Sequence, residues 1–518
     1  MPAELLALGR VRFEAQPPVE PSAPTRADIA CFVGFVSRRP GALPASLERW
    51  LEERGWLGEG PYARPEAKDL VDVPVPVDNW VGFDRLFAWE ARAGGGSTYL
   101  GAAVRSFFAQ GGRRCYVVRV GDPLPVGSPR DARLALLEPL LGTAGGAPPS
   151  PGDRRSWKGV RHLFGLPDVS LLCVPDLPDV FGADPLPAPP PPEAPPPRPV
   201  FEECSAQELV PIAAPGAPPI AVARMGTAEY AAWAGAVNEL GRLLRDWLRE
   251  VQLIAAVPLP TRYETLEHEL PAHLAHEFLN APPGDGPSTG LATSFVQLVY
   301  PWVKTAGSVL LPDGVEPPDG VLAGVIARTV LLRGAFRSAA GSALGDVVDV
   351  FPSLTRADLA VGDGRAGDLT VFPDRISTFG RGPTGLRLLT DTTPSLRETY
   401  RPAAVHRLVS LVIRAVRQVG EALVWESSGE RLWRLVQRRI EGMLQTLWEA
   451  GALSGASSDE AFTVRCDRTT MTTTDLDAGR LMVVVTFTAS APIERITVTL
   501  AMDESGQVSV AGLLGAAA

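Results

Sequence analysis

The sequence predicts a multi-domain α/β protein, with a doubly wound, largely parallel sheet in its middle and an α+β unit at its C-terminal end. Helix-period and extended segments alternate at residues 99–120, 228–257 and 271–303, and such alternation builds a parallel sheet covered on both faces. Beyond residue 395 the pattern changes to two long amphipathic helices, 401–423 and 430–450, followed by extended runs at 462–465, 480–488, 493–502 and 507–511. At 518 residues the chain is long enough for two to four domains and a sizeable core.

Each segment has its own physical reason. Residues 1–26 are rich in proline, which cannot donate to a ladder, so they read as an extended arm carrying one short strand at 7–14. Residues 27–96 form an N-terminal β-rich region. In it DIACFVGFVS (28–37) is a β-branched and aromatic run bounded by Pro24 and Pro40, the mark of a buried strand. The α/β unit spans 97–394. It opens with Leu100, Val104, Phe107 and Phe108 at helical spacing, a break at Gly111 and Gly112, and a strand at 115–120. A further strand is expected at 169–174, ahead of Pro175 and Asp176. The polyproline run at 183–200 is a semi-rigid surface insertion. Helix and strand recur at 228–250 and 251–257, then at 271–279, where Pro271 starts the helix, and 295–303. The last unit, 395–518, begins with Ser395 and Glu398, spaced as a capping box ahead of the first long helix.

Composition excludes several functions. A net charge of -10 argues against a nucleic-acid partner, since phosphate binding needs a concentrated basic face. Five cysteines (Cys31, Cys115, Cys173, Cys204 and Cys466) are odd in number, widely spaced and without a CxxC pair, so they read as buried thiols in a reducing compartment. The start lacks a basic segment followed by an apolar run, and no stretch offers about 18 uninterrupted apolar residues, so cytoplasmic synthesis without membrane insertion is expected.

The candidate chemistry is weak. His268, His273 and His276 stand beside Glu269 and Glu277, but the zincin spacing from His268 ends on Ala272, so no metal is expected. GPSTG (286–290) matches a nucleophile elbow in its letters and makes Ser288 the candidate of a serine hydrolase reading. The APPGD before it is a loop, where the elbow needs a strand. GDGRAG (362–367) lacks the hydrophobic strand that precedes a dinucleotide fingerprint. No Walker lysine is present, so no cofactor and no nucleotide hydrolysis are expected, and the chain reads as a non-enzyme.

The two long helices carry apolar stripes that should pack together: Leu408, Val409, Val412, Val416, Val419 and Leu423 on one, Leu432, Val436, Ile440, Leu444 and Leu447 on the other. Arg407, Arg414, Arg417, Arg434, Arg438 and Arg439 lie opposite, as either an ordinary solvated face or a partner surface.

From Trp448 onward the chain reads WEAGALSG, then AFTVRCD (461–467), TMT (470–472) and DAGRL (477–481). This order resembles the C-terminal domain of contractile tail sheath proteins of phage tails and phage-tail-like injection systems. Tyr300–Trp302, PPDG (317–320) and the 323–340 segment resemble a second sheath signature, and the helix, double glycine and strand at 99–120 a third. LRLLTDTT (386–393) replaces the family's VWGART, and the chain runs on past the usual last strand.

The resemblance implies a subtilisin-like fold for the α/β unit and a sheath domain completed by strand exchange between subunits. Leu6, Leu8, Val11 and Phe13 of the arm, with Ile496, Val498, Leu500, Val508 and Val510 of the tail, would take part. It also implies a helical homopolymer around an inner tube, with baseplate and cap proteins as further partners, contracting without ATP. The arginine face would meet the tube. The alternatives are a subtilisin-like serine hydrolase and a sheath-related cap or baseplate component.

Overall fold

A computed structural model describes residues 26–94, 96–143, 150–184, 221–261, 266–280, 290–354, 371–423, 429–474, 481–490, 499–502 and 508–511. The arm strand, nearly all of the polyproline run, Cys204, Ser288 and the 362–367 turn lie outside them.

The strands up to residue 121 are β1 (Ala30–Phe35), β2 (Ser37–Arg38), β3 (Pro74–Val77), β4 (Phe87–Ala88) and β5 (Cys115–Gly121). Next come β6 (Leu171–Cys173), β7 (Gln252–Ala256), β8 (Val296–Tyr300), β9 (Trp302–Thr305), β10 (Val347–Phe351), β11 (Ser377–Gly382) and β12 (Gly385–Leu388). Eight of them form one sheet in the order β12-β11-β8-β7-β6-β1-β5-β3. The six inner strands run parallel, and β12 and β3 close the two edges antiparallel.

Inner strands are apolar on both faces because both are covered. Along β1, Cys31, Val33 and Phe35 face one core with Tyr230, Trp233, Val237 and Leu240 of helix α2 (Thr227–Trp247). Ala30 and Phe32 face the other, with Leu100, Val104 and Phe107 of helix α1 (Tyr99–Ala109) and Val321, Val325 and Ile326 of helix α3 (Asp319–Arg333). β1 lies between β6 and β5, so residues 27–96 supply an inner strand and an edge to the central sheet. Helices α1 and α3 pack close enough that a Cβ on Gly320 would lie 2.3 Å from the Ala103 carbonyl oxygen, and one on Gly324 2.6 Å from that of Phe107.

Two local expectations change. Pro271 starts no helix: it lies inside Leu266–Leu274, which continues as a π turn, Ala275–Leu279, because a proline costs an established helix one backbone bond without always ending it. The strand expected at 295–303 splits at Pro301, which has no N–H for the ladder, and β9 turns away to pair with β10.

The C-terminal unit holds helices α4 (Ala403–Glu421) and α5 (Glu430–Glu449). Their stripes meet as expected, with Leu408, Val412, Val436, Ile440 and Leu444 in one core. Ser395 and Glu398 do not cap α4. Ser395 Oγ accepts the Arg397 N–H, Glu398 belongs to a separate 3-10 turn, and α4 begins after Pro402. Packed on α5 is a two-stranded ladder of β13 (Phe462–Arg465) and β14 (Val484–Phe487), in register Phe462↔Phe487. A second ladder pairs β15 (Thr499–Met502) with β16 (Val508–Ala511), with no further strand beside it among the described residues.

Candidate functional site

An open α/β sheet binds ligands beyond the carboxyl ends of its strands, where the strand order reverses. Here that point lies between β1 and β6, and the protein's own groups fill it. Asp176, just after β6, accepts the Phe35 N–H at 2.9 Å. A Cβ on Gly34 would lie 2.1 Å from its Oδ2, so only glycine fits there. Arg92 pairs with Asp179 at 2.8 Å. The remaining cavity, about 10 Å³, has room for one water at most.

Burial pushes three carboxyls upward: Asp176 to about 7, and Glu316 and Asp319 each to about 8. Their partners are the Phe35 and Gly320 amides and the hydroxyl of Ser106. Neither acid–histidine pair among the described residues, His162–Asp72 or His276–Glu277, bonds to a serine or cysteine. His273 packs its ring against Tyr230 and Phe278.

The raised carboxyls have a solution consequence. Each stays protonated in the folded chain at pH values where the unfolded chain, at about 4, has ionised it. The stability they contribute is therefore complete below pH 4 and is lost as pH rises toward 7–8. Asp319→Asn is expected to flatten that loss. Scanning calorimetry of both proteins from pH 4 to 9 checks it, and parallel Tm curves would refute it.

The arginine face divides on inspection. Arg407 and Arg414 are buried inside the protomer. Arg407 Nη2 reaches Asp391 Oδ2 at 2.6 Å, in an ion pair whose side chains are 4% and 0% exposed. Burial pulls Asp391 upward, but the Arg407 charge, its hydrogen bonds and those from the Ala339 N–H and Gln297 outweigh it, and Asp391 lies below its ordinary value. Arg414 donates to the Val169 and Arg26 carbonyls and to Ser170 Oγ. Arg417, half exposed, pairs with the buried Glu250. This row of α4 fastens the C-terminal unit to the central sheet. Arg434, Arg438 and Arg439 on α5 remain exposed, with Arg434 only loosely paired to Glu430 at 4.0 Å.

The sheets differ in how their edges end. At β3 the sequence is Pro-Val-Pro-Val, and Pro74 and Pro76 can donate neither to β5 nor outward, so this edge offers a newcomer no N–H. Among the described residues the β13–β14 ladder has two strands and no such block, and two strands alone are marginal. Of the expected exchange residues, Leu500, Val508 and Val510 stand in the β15–β16 ladder, with Leu500 opposite Val510. Leu6, Leu8, Val11, Phe13, Ile496 and Val498 lie outside the described residues.

The sequence reading missed the Asp391–Arg407 pair. Its signal was present as Arg407, Ser410 and Arg414 at helical spacing beside Ala403 and Ala404, a stripe with too many small residues for a solvated face.

No family profile and no curated protein matches the sequence. Solved structures match over 96–98% of the chain. A chain from the contracted baseplate of the anti-feeding prophage aligns with TM-score 0.61 at 18% identity, covering 96% of this chain and all of that one. A chain from the contracted helical sheath of the same particle gives 0.53 at 18%, again over 96% and 100%. One from the contracted PVC sheath complex, an extracellular contractile injection system, gives 0.53 at 18% over 98% and 100%. The chain has the fold of contractile injection system sheath proteins.

Proposed function

We propose that this chain is the sheath subunit of a contractile, phage-tail-like injection particle. One observation carries the reading: the likeness to sheath chains runs through the α/β unit and the C-terminal unit together, end to end. The edges agree with it. A sheet blunted by prolines at β3 keeps the body of the subunit monomeric, while the bare β13–β14 ladder invites strands from neighbours.

On this reading the α/β unit is subtilisin-like and begins near residue 27 rather than 97, since β1 and β3 belong to it. Residues 395–518 form the sheath module. The arm around Leu6–Phe13 and the tail strands add to sheets of adjacent subunits, and a head-to-tail contact that does not close winds a helix around an inner tube. Backbone ladders hold connectivity while subunits tilt, so the lattice can pass from a trapped extended form to a more stable compact one without nucleotide. Of the arginines, Arg434, Arg438 and Arg439 are free to meet an acidic tube, and the α4 row carries force from α5 to the sheet. Assembly in the cytoplasm fits a chain in which, among the described residues, no helix is long and apolar enough to cross a membrane.

Negative-stain imaging of particles assembled from the chain tests the reading. Striped sleeves that shorten and widen under urea are expected. Isolated rings would favour the second reading, a baseplate- or cap-associated subunit, which rests on the higher likeness to the baseplate chain.

A further inference from the structure

Beside Pro74 at the β3 edge of the central sheet, Trp50, Arg54, Trp56, Arg154, Trp157 and His162 line a cavity of about 140 Å³. It is built from cations on indole faces. The Arg54 guanidinium stands 4.6 Å over the Trp50 ring, and that of Arg154 stands 4.0 Å over Trp56 and 5.0 Å over Tyr62. Arg64 approaches the same Trp56 at 5.3 Å.

Among the described residues, the carboxylate bonded to this cluster is Asp72, and it is already engaged. It takes Arg64 at 2.6 Å, His162 Nε2 at 3.0 Å and the Gly159 N–H at 2.8 Å. Neither Arg54 nor Arg154 forms an ion pair among the described residues. Arg154 Nε is buried without a partner, and so is Nδ1 of His162, whose side chain is 1% exposed. Burial and the nearby Arg54 and Arg64 charges, against an opposing pull from Tyr62, hold the Arg154 guanidinium below its ordinary value.

Crowded guanidiniums over apolar walls, with a buried N–H left over, form a receptor for a planar anion on an apolar stem. A carboxylate matches the guanidinium fork, and the indoles cover its stem. We infer that this cavity binds a carboxylate-bearing side chain from a second copy of this chain, as a contact of the lattice proposed above. Charge complementarity supports that source: with 59 acidic against 49 basic residues, every copy offers carboxylates in excess to a cationic cavity. The inference rests on the sheath reading for its occupant, and on the cavity alone for its chemistry.

Benzoate, a planar carboxylate on an apolar ring, is the probe. Titration of the full chain followed by tryptophan fluorescence is expected to saturate, with benzyl alcohol inert. Arg154→Gln, with unchanged Tm, should weaken benzoate by about tenfold or more, the worth of one charge-assisted hydrogen bond. The same variant, and saturating benzoate on the unaltered chain, should each slow sedimentable assembly. Benzoate binding with assembly untouched by either overturns the inter-copy occupant. Absence of benzoate binding overturns the site. If the unaltered chain makes no polymer at all, the sheath reading and with it the inter-copy occupant fail, while the benzoate arm still reports on the site's chemistry.

Discussion

Arg407→Ala is expected to cost about 3–5 kcal/mol of stability, among the largest effects open to a single substitution in this chain. The change leaves Asp391, wholly buried, with only Gln297, Ser338 and the Ala339 N–H as partners. An uncompensated charge in that setting is far costlier than the pair's own modest net value. The paired replacement Asp391→Leu with Arg407→Met removes both charges together and is expected to recover more than half of the loss. Urea unfolding of the three proteins checks this, and equal losses in the single and paired variants would show that packing, and not the stranded charge, is responsible. Because this pair ties α4 to the central sheet, the single variant should also loosen the C-terminal unit first. Proteolysis between residues 395 and 402 would reveal that.

Removing residues 1–14 is expected to abolish tube formation while leaving the subunit folded. The cut spares Arg26, which pairs with Asp28 and whose carbonyl accepts from Arg414, so the body keeps its anchors. An exchanged strand contributes on the order of four ladder bonds at about 1 kcal/mol each. Its loss weakens each lattice contact by roughly a thousandfold. The Tm should move by less than 2 °C or so, since surface changes away from packed elements are nearly neutral. Long tubes from the shortened chain would refute arm exchange.

Much of the architecture follows from patterns visible in the sequence. The run at 28–37 reads as a buried strand and β1 within it is buried throughout, and the glycine break at Gly111 divides α1 from β5 where expected. The stripes of α4 and α5 meet because a 3.6 period permits little else. What could not be read has a common cause: local pattern does not say which neighbour covers a surface. β1 looked like part of a small N-terminal region because its partners β5 and β6 lie about 80 and 140 residues downstream. Arg407 and Arg414 read as a solvated face or a partner surface because a charged stripe on a helix is usually exposed, and Asp391 sits in a loop with no periodicity to flag it. The capping box failed for a simpler reason: Ser395 and Glu398 stand well ahead of Pro402, the N-cap of α4, with Ser395 bonded to the Arg397 N–H and Glu398 in a separate 3-10 turn.

The central claim is that the subunit is left unfinished until its neighbours complete it. Cryo-EM of the assembled polymer at a resolution that traces strands tests this most directly. The account predicts that the β13–β14 ladder is extended in the lattice by at least one strand from another subunit, drawn from the arm or from the tail. A polymer in which that ladder remains two-stranded and neighbours touch only through side chains would contradict it.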